Sequence, residues 1–398
     1  MTAADVQTIA PTSIAERIKI IDADSHVTEV PDLWSARLKN EGWEQLVPTV
    51  KLHEAKNKYR WSIAGHWASG VADLAFSGWT EFPPSYPPSL EQADPASWDP
   101  SARLATMDDY GVHAQVLYPN VLGFASVFFL DMEVELRNWC VATYNDFIVE
   151  FASTDPNRLI PLMWLPFWDT ELCVREMERC IRRGHKGVIF PSNFAPIGYP
   201  VLPEEHWYPV WEAAQHHEMS INFHSGFQTT PDEARKSLGA GVSRANFTKE
   251  CALLMMGNAR TIADVALFGI CNKFPRVNFV SVESGYGWMP FFAELLDWQW
   301  LNSGAKDAHP DYDLLPSDII RRQVYGTFWF EHIGTVDESF VQNAMFSTDF
   351  PHPTSLTPGP KSYAEHPRLA IEHNLGGLSE PTLKALLHDN AARLYHID

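Results

Sequence analysis

Five segments of the sequence place side chains that bind metals directly after short apolar runs. These segments are Asp24-Ser-His26, His224-Ser-Gly226, Glu283-Ser-Gly285, Glu331-His332 and Asp349-Phe-Pro-His352. Imidazole and carboxylate groups are common protein ligands of zinc, manganese and iron. A buried charge is unfavourable unless it is paired or bound to a metal, so packing alone does not explain this repetition. The pattern therefore predicts a metal-dependent enzyme.

The residues themselves suggest both ligands and proton carriers. Side chains alternate along a strand, so Asp24 and His26 lie on the same face and point to the same site. Six residues form the predicted metal site, and two of them, Glu283 and His352, are also candidate acids or bases. The six are Asp24, His26, His224, Glu283, Asp349 and His352. Whether Glu29, Glu331 and His332 join the site stays open, and Glu283 has the alternative of orienting His224 as a hydrogen-bond acceptor.

Eight short apolar runs, separated by longer helical patterns, supply the elements that position these residues. The runs cover residues 18–23, 114–118, 159–165, 187–190, 220–224, 277–283, 324–330 and 344–349. The helical patterns cover 133–152, 170–183, 209–217, 249–268, 289–300 and 337–343. Continuous apolar runs are typical of parallel strands that are covered on both faces. We therefore predict an α/β fold, a (β/α)₈ TIM barrel, with an open doubly wound sheet as the alternative.

The chain of 398 residues is predicted to be a single metal-dependent barrel domain spanning residues 1–398. Residues 27–100 depart from the alternating pattern and are rich in Trp and Pro. Long structured loops of this kind often cover a site, so this insertion after the first strand is expected to form a lid over the barrel mouth.

Composition excludes some classes of partner. The formal net charge of −20 disfavours a nucleic acid, since phosphate binding needs clustered Lys and Arg. No apolar stretch is long enough for a membrane span. Five widely spaced cysteines suggest reduced thiols and a cytoplasmic location. The 50 aromatic residues (15 Trp, 23 Phe, 12 Tyr) suffice to line a wide pocket for an apolar small molecule.

The quoted motifs resemble those of the amidohydrolase-related family, which includes aromatic-acid decarboxylases. The resemblance rests on Asp24-Ser-His26, His224-Ser-Gly, Asp349-Phe-Pro-His352 and a closing Asn390-Ala-Ala-Arg-Leu-Tyr, and it spans nearly the whole chain. It implies that Asp24, His26, His224 and Asp349 bind a divalent metal, and that a homodimer is common for such barrels.

The chain departs from the family pattern at two strand ends. Many relatives carry His-x-His or Glu-x-His on the first strand and a His at the end of the sixth strand, where this chain has Asp24 and Glu283. The change enriches the site in carboxylate, which suits iron or manganese as well as zinc and allows two ions to share ligands. The chain also resembles a branch of the fold typified by a diterpenoid-biosynthesis hydroxylase that binds two irons.

From this excess of carboxylate we predict a non-haem di-iron monooxygenase. It would use O₂ to hydroxylate a bulky apolar substrate, terpenoid or linked to coenzyme A, in secondary metabolism. The alternative is a decarboxylase or hydrolase of the amidohydrolase type with one zinc or manganese ion, in which the metal polarises a carboxylate or activates water. Metal content and dependence on O₂ separate the two hypotheses.

Overall fold

Eight parallel strands close into a barrel around the chain's main hydrophobic core. The computed structural model describes residues 13–39, 41–227, 243–333 and 338–398. Twelve strands lie in the described residues, and three of them, β2, β3 and β4, form a separate small sheet. The strands are β1 (Ile20–Val27), β2 (Thr49–His53), β3 (Lys58–Ile63), β4 (His66–Gly70), β5 (Val112–Pro119), β6 (Leu159–Pro161), β7 (Met163–Trp164), β8 (Val188–Ile189), β9 (Ile221–His224), β10 (Phe279–Val282), β11 (Val324–Phe328) and β12 (Ala344–Phe346).

The hydrogen-bonded order is β1-β5-β6 in one parallel sheet and β7-β8-β9-β10-β11-β12 in the other. Only Leu162 separates β6 from β7, so these two form one bent strand of the barrel. The ring closes where β1 meets the segment after β12: the Asp349 N–H donates to the Asp24 carbonyl (2.9 Å) and the His26 N–H donates to the Phe350 carbonyl (2.6 Å). Because the two parallel sheets are joined at both ends in this way, the predicted (β/α)₈ barrel is confirmed and the open sheet is excluded.

Helices surround the barrel. The α-helices are Ile14–Arg17, Pro100–Tyr110, Val121–Phe124, Val134–Ala152, Thr170–Ile181, Tyr208–His216, Arg244–Met255, Asn258–Leu267, Ile270–Lys273, Met289–Asn302, Ala305–Ala308, Pro316–Gln323, Pro367–Leu375, Glu380–Lys384 and Asn390–Tyr395, with a π-helical turn at Ala385–Asp389. Short 3₁₀ turns occupy Ser35–Arg37, Glu41–Trp43, Glu54–Lys56, Leu90–Gln92, Pro95–Ser97, Ser126–Asp131, Ala195–Ile197, Glu205–Trp207 and Glu338–Asn343. No helix among the described residues is long and apolar enough to cross a lipid bilayer.

The helix Thr170–Ile181 illustrates why these segments fold as they do. The Asp169 side chain accepts a hydrogen bond from the Leu172 N–H (2.9 Å) and caps the first turn. Cys173, Met177 and Cys180 recur at helical spacing and are buried against the barrel. An amphipathic stripe of this width stabilises the helix mainly through tertiary packing.

Two predicted helices differ in the structure. The pattern at 249–268 predicts one helix, but the chain forms Arg244–Met255 and Asn258–Leu267 with a break at Gly257. The Asn258 side-chain amide donates to the carbonyls of Phe223 (2.8 Å) and Val282 (3.3 Å), which ties the start of the second helix to β9 and β10. The pattern at 337–343 instead forms the 3₁₀ turn Glu338–Asn343, and Asp337 lies outside the described residues.

The insertion after β1 contains the antiparallel sheet β2-β3-β4. Its later part contacts the loop that follows β12, since the N–H groups of Phe76 (2.8 Å) and Ser77 (3.1 Å) donate to the Pro351 carbonyl. The His66 ring nitrogen Nε2 lies 2.6 Å from the Asp131 carboxylate, beyond the end of β5. The insertion therefore packs on the barrel end where the strands terminate, and its function as a lid stays a prediction.

Candidate metal centre

The carboxyl ends of β1 and β9 and the segment after β12 bring four ligand-type side chains together. Asp24 and His26 lie on the inward face of β1, while Ser25 between them turns away and donates to the Val116 carbonyl (3.0 Å). His224 is the last residue of β9. Asp349 follows β12, and all four side chains are buried, with Asp24, His26 and His224 at 0% exposure and Asp349 at 1%.

The two imidazoles face each other through their Nε2 atoms. The Nδ1 atom of His26 lies 3.0 Å from the Pro119 carbonyl, and that of His224 lies 2.7 Å from the Ser225 carbonyl. A carbonyl oxygen only accepts, so each Nδ1 must donate and each neutral ring keeps a lone pair on Nε2. The two Nε2 atoms lie 2.9 Å apart. Two lone pairs at this distance repel unless a positive charge lies beside both.

The carboxylate oxygens of Asp24 and Asp349 lie near the same Nε2 atoms and complete a set of metal-ligand atoms. Asp24 Oδ1 lies 3.5 Å from His26 Nε2 and 3.6 Å from His224 Nε2, and Asp349 Oδ1 lies 3.7 Å from His26 Nε2. Neighbouring ligands held about 2.1 Å from one ion lie about 3.0–3.4 Å apart. Within the described part of the chain, neither Asp24 oxygen nor Asp349 Oδ1 has a hydrogen-bond partner. The residues present therefore fit a divalent metal ion.

His26 belongs to both groups of ligand-type atoms that lie close enough to share an ion. One group is Asp24, His26 and His224, and the other is His26, Asp349 and His352. The Nδ1 atom of His26 is committed to Pro119, so only one lone pair, on Nε2, remains. A single lone pair binds a single ion, so the arrangement describes one metal position more readily than two.

His352 lies against the ligands but is held by a different partner. Its ring stacks on His26 with centroids 3.8 Å apart, and its Nε2 lies 2.8 Å from Asn120 Oδ1. Its Nδ1 lies 2.8 Å from Asp349 Oδ1 without hydrogen-bond geometry. Burial and the neighbouring His26 lower the pKa of His352 well below its ordinary value. The ring is therefore neutral, and its predicted roles as ligand and as acid or base stay predictions.

Glu283 is the most exposed of the six predicted residues, at 9%. Its Oε2 lies 3.5 Å from His224 Nδ1 and has no hydrogen-bond partner in the described ranges. Burial raises the pKa of Glu283 to about 8. Both Glu283 (φ 52°) and Asp349 (φ 56°) have left-handed backbone conformations, which cost non-glycine residues about 1–3 kcal/mol. Strain of this kind concentrates at functional sites, and here it falls on one ligand-type residue, Asp349, and on the neighbouring Glu283.

Two other acidic residues of the strand ends bind backbone groups. Glu29 Oε1 accepts from the N–H groups of Asn120 (3.1 Å), Val121 (2.9 Å) and Leu122 (3.4 Å). Glu331 Oε1 accepts from the N–H groups of the turn that follows Glu283, at 2.7 Å and 2.6 Å. Both carboxylates therefore position loops of the site. His332 is exposed at the surface and lies outside both groups of close ligand-type atoms.

Asn120 is a site residue that sequence reasoning missed. It follows β5, as the predicted ligands follow their own strands, but an amide was not counted among the residues that do chemistry. Its Nδ2 donates to Thr28 Oγ1 (3.3 Å), which leaves Oδ1 as the acceptor for His352 Nε2. The rule that functional side chains directly follow the barrel strands (the strand-end rule) would have found Asn120 if it had included amides.

A second polar layer, centred on Asp22, adjoins the ligands along β1. Asp22 accepts hydrogen bonds from the Thr348 N–H (2.8 Å), the Thr348 hydroxyl (2.5 Å), the Gln115 amide (2.9 Å) and the Asp24 N–H (3.2 Å). The buried Arg103 donates to the Gln115 side chain (3.3 Å) and to the His26 carbonyl (2.6 Å). This layer ties β1 to β5 and β12 and so fixes the backbone that carries three of the four ligands.

The family comparison agrees with this architecture. The amidohydrolase family model matches residues 21–397, so the chain belongs to the amidohydrolase family. Among curated proteins, the chain is similar to gamma-resorcylate decarboxylase of Polaromonas sp. (23% identical; 63% of this chain and 76% of the relative). It is also similar to 2-amino-3-carboxymuconate-6-semialdehyde decarboxylase of Dictyostelium discoideum (24% identical; 72% and 77%).

A solved structure shares the fold. The dihydroxybenzoic acid decarboxylase of Polaromonas sp. JS666, determined with bound manganese and the inhibitor 2-nitroresorcinol, superimposes with a TM-score of 0.56. It is 17% identical, and the match covers 95% of this chain and 97% of the other. That barrel therefore holds a divalent metal, as the ligand geometry predicts for this chain.

These comparisons overturn the predicted di-iron monooxygenase. Both curated relatives are decarboxylases, so the predicted monooxygenase function was wrong. The prediction failed because it inferred oxygen chemistry from the number of acidic strand ends. Glu29 and Glu331 bind backbone N–H groups. Asp24, His224 and Asp349 place ligand atoms within 3.7 Å of the single free nitrogen of His26.

Proposed function

We propose that this protein is a metal-dependent decarboxylase that uses one divalent ion, manganese or zinc, and acts on a carboxylate attached to an aromatic or conjugated carbon. The observation that carries the proposal is the buried cluster of Asp24, His26, His224 and Asp349 in a chain whose two curated relatives are decarboxylases. The predicted second ion and iron are not part of the proposal.

The four clustered side chains would hold the ion, and a bound divalent ion would supply Lewis acidity toward the substrate's oxygen atoms. The Nδ1 hydrogen bonds to Pro119 and Ser225 fix the orientation of both imidazoles before the ion binds. Such hydrogen bonds also fix the tautomer and raise the basicity of the ligand nitrogen. The chain therefore preorganises the ligands.

Glu283 is the residue we assign to proton transfer. It directly follows β10, where many relatives carry a His, and its Oε2 has no hydrogen-bond partner among the described residues and lies at the least buried edge of the cluster. The Glu283 carboxyl group would protonate the carbon that bears the substrate carboxylate. The bond to that carboxylate then breaks, its electron pair restores the conjugated system, and CO₂ leaves. Solvent returns the proton to Glu283.

His352 and the insertion complete the proposed site. His352, held by Asn120, is neutral and buried, so it can accept a hydrogen bond or a proton from a phenol or enol group of the substrate without a charge of its own. The insertion packs on the loop at Pro351, between the two site residues Asp349 and His352. We propose that it limits the access of water to the barrel mouth.

The test is anaerobic turnover of a panel of hydroxybenzoic acids and conjugated enoic acids by protein loaded with manganese or zinc. Release of CO₂ in equal amount to the decarboxylated product supports the proposal, while a hydrolysed product or a strict need for O₂ would contradict it. Asp24→Asn is the matched variant, because it keeps the side chain's shape and removes the charge. Elemental analysis should find about one ion per chain in the wild type; two irons per chain would also contradict the proposal.

A further inference from the structure

Two phenylalanine rings cover the predicted metal ligands. The Phe227 ring stacks on His224 with centroids 4.2 Å apart and an interplanar angle of 17°. The Phe124 ring lies 6.2 Å from His26, 5.8 Å from His224 and 5.7 Å from His352, measured between centroids. The two phenyl rings meet edge to face at 4.9 Å. Phe124 therefore lies among four other rings, directly over the ligands.

Each phenylalanine fills space left by the glycine that precedes the other. A Cβ atom on Gly123 would lie 2.2 Å from the Phe227 ring, and a Cβ atom on Gly226 would lie 2.6 Å from the Phe124 ring. Gly226 also has φ of 83°, a conformation that disfavours other residues. The sequence pairs Gly123-Phe124 and Gly226-Phe227 thus form one interlocked unit over the cluster.

This unit closes the site in the structure. The ligand side chains have exposed fractions of 0–1%, so a substrate carboxylate reaches the cluster only if a covering group moves, and Phe124 and Phe227 are rings that lie on the imidazoles. Phe227 is 3% exposed and lies flat on His224. Phe124 is only partly buried and ends the four-residue helix Val121–Phe124. Phe124 is therefore the ring that can leave.

We infer that the Phe124 ring occupies the position that the substrate's own ring takes, so that the space filled by Phe124 accepts flat carboxylic acids of phenyl size. The inference rests on the proposed function and names its substrate class. A flat conjugated ring in this position would meet the same imidazole and phenyl edges that Phe124 meets, an arrangement that aromatic pairs favour. A saturated ring is thicker and would lack these contacts.

The test measures binding and metal exchange in metal-loaded protein, without turnover. Phe124→Ala removes the closed form that competes with the ligand, so benzoate should bind about tenfold more tightly, since a competing closed form weakens apparent affinity by its population. Cyclohexanecarboxylate should gain clearly less. Removal of the metal by a chelator should be faster in Phe124→Ala than in the wild type. Phe268→Ala is the control, since Phe268 is 56% exposed at the end of a surface helix.

Three outcomes would overturn the inference. These are unchanged or weaker benzoate binding in Phe124→Ala, an equal gain for both acids, and metal exchange that is no faster than in the Phe268→Ala control. If Phe124→Ala fails to fold, Phe124→Leu serves with the same expected directions. Because no arm requires catalysis, absence of CO₂ release from every acid would overturn the proposed function and not this assignment of Phe124.

Discussion

Asp22 and Asp24 are two residues apart on β1 and both are fully buried, yet their surroundings are opposite. Each oxygen of Asp22 accepts hydrogen bonds from neighbouring strands, and burial raises its pKa to about 7. Neither oxygen of Asp24 has a hydrogen-bond partner among the described residues. An unpaired buried carboxylate is unfavourable unless a cation accompanies it.

The difference separates two uses of the same residue type. The polar layer around Asp22 has its hydrogen bonds made within the protein, so it stabilises the fold. The ligand cluster around Asp24 lacks them, so it is built for a ligand that the chain does not supply. Hydrogen-bond satisfaction, rather than burial or charge, distinguishes the predicted metal site from the structural network that supports it.

The largest expected effect is the loss of activity in Asp24→Asn. Removal of one ligand should lower kcat/KM by about 10³-fold, which corresponds to loss of about 4 kcal/mol of electrostatic stabilisation of the transition state. In chelator this variant should lose less stability than Asp22→Asn does, because the substitution removes no hydrogen-bond acceptor used within the described residues. Decarboxylation assays and chemical denaturation in chelator check the two parts.

Asp22→Asn should lose stability and keep its metal, which is the reverse of what Asp24→Asn should do. A side-chain amide offers one acceptor oxygen where the carboxylate offers two, so at least one of the donors from Thr348 and Gln115 loses its partner. The free energy of unfolding should fall by about 3 kcal/mol. At saturating metal the variant should still bind about one ion per chain. Equal losses of stability and metal in both variants would contradict the division between the polar layer and the ligand cluster.

Asn120→Ala tests whether the hydrogen bond from His352 Nε2 to Asn120 positions the His352 ring. Loss of the acceptor for His352 Nε2 should lower kcat about tenfold with little change in KM or metal content, as expected for a residue that orients another. Asn120→Asp keeps an acceptor and should recover part of kcat. A change in KM alone would argue that Asn120 contacts the substrate instead.

The smallest effect concerns His185, a buried imidazole in neither the polar layer nor the ligand cluster. Its Nδ1 lies 3.0 Å from the Cys180 carbonyl, and burial lowers its pKa from 6.5 to about 4. The folded state therefore binds the proton less readily than the unfolded state. His185 contributes stability that is present above pH 6.5 and is lost as the pH falls toward 4.

Through His185, the free energy of unfolding changes by at most about 1.4 kcal/mol per pH unit. Denaturation of wild type and His185→Gln at pH 7 and pH 5 measures it, and the difference between the two proteins should shrink at pH 5. Added metal should leave this difference unchanged, because His185 lies outside both groups of candidate ligands. A difference that depends on metal would place His185 in the site.

Much of the architecture could be predicted from the sequence. Each of the eight apolar runs overlaps a barrel strand, because strands buried on both faces need uninterrupted apolar residues. The strand-end rule also located Asp24, His26, His224 and Asp349, since parallel strands of a barrel deliver their carboxyl ends to one face. These features depend on periodicity and on order along the chain, which the sequence contains directly.

Only the tertiary structure decided which ligand-type residues gather in the cluster and which are hydrogen-bonded within the protein. The sequence shows Asp22, Asp24, Glu29 and Glu331 as similar acids near strand ends, but partners distant in the chain separate them. Thr348 satisfies Asp22 across 326 positions, and the turn after Glu283 satisfies Glu331. The number of ions likewise depends on which nitrogen of His26 faces the cluster, and Phe124 reaches the ligands only because Gly226 leaves room. Such contacts join segments far apart in sequence, so no local pattern contains them.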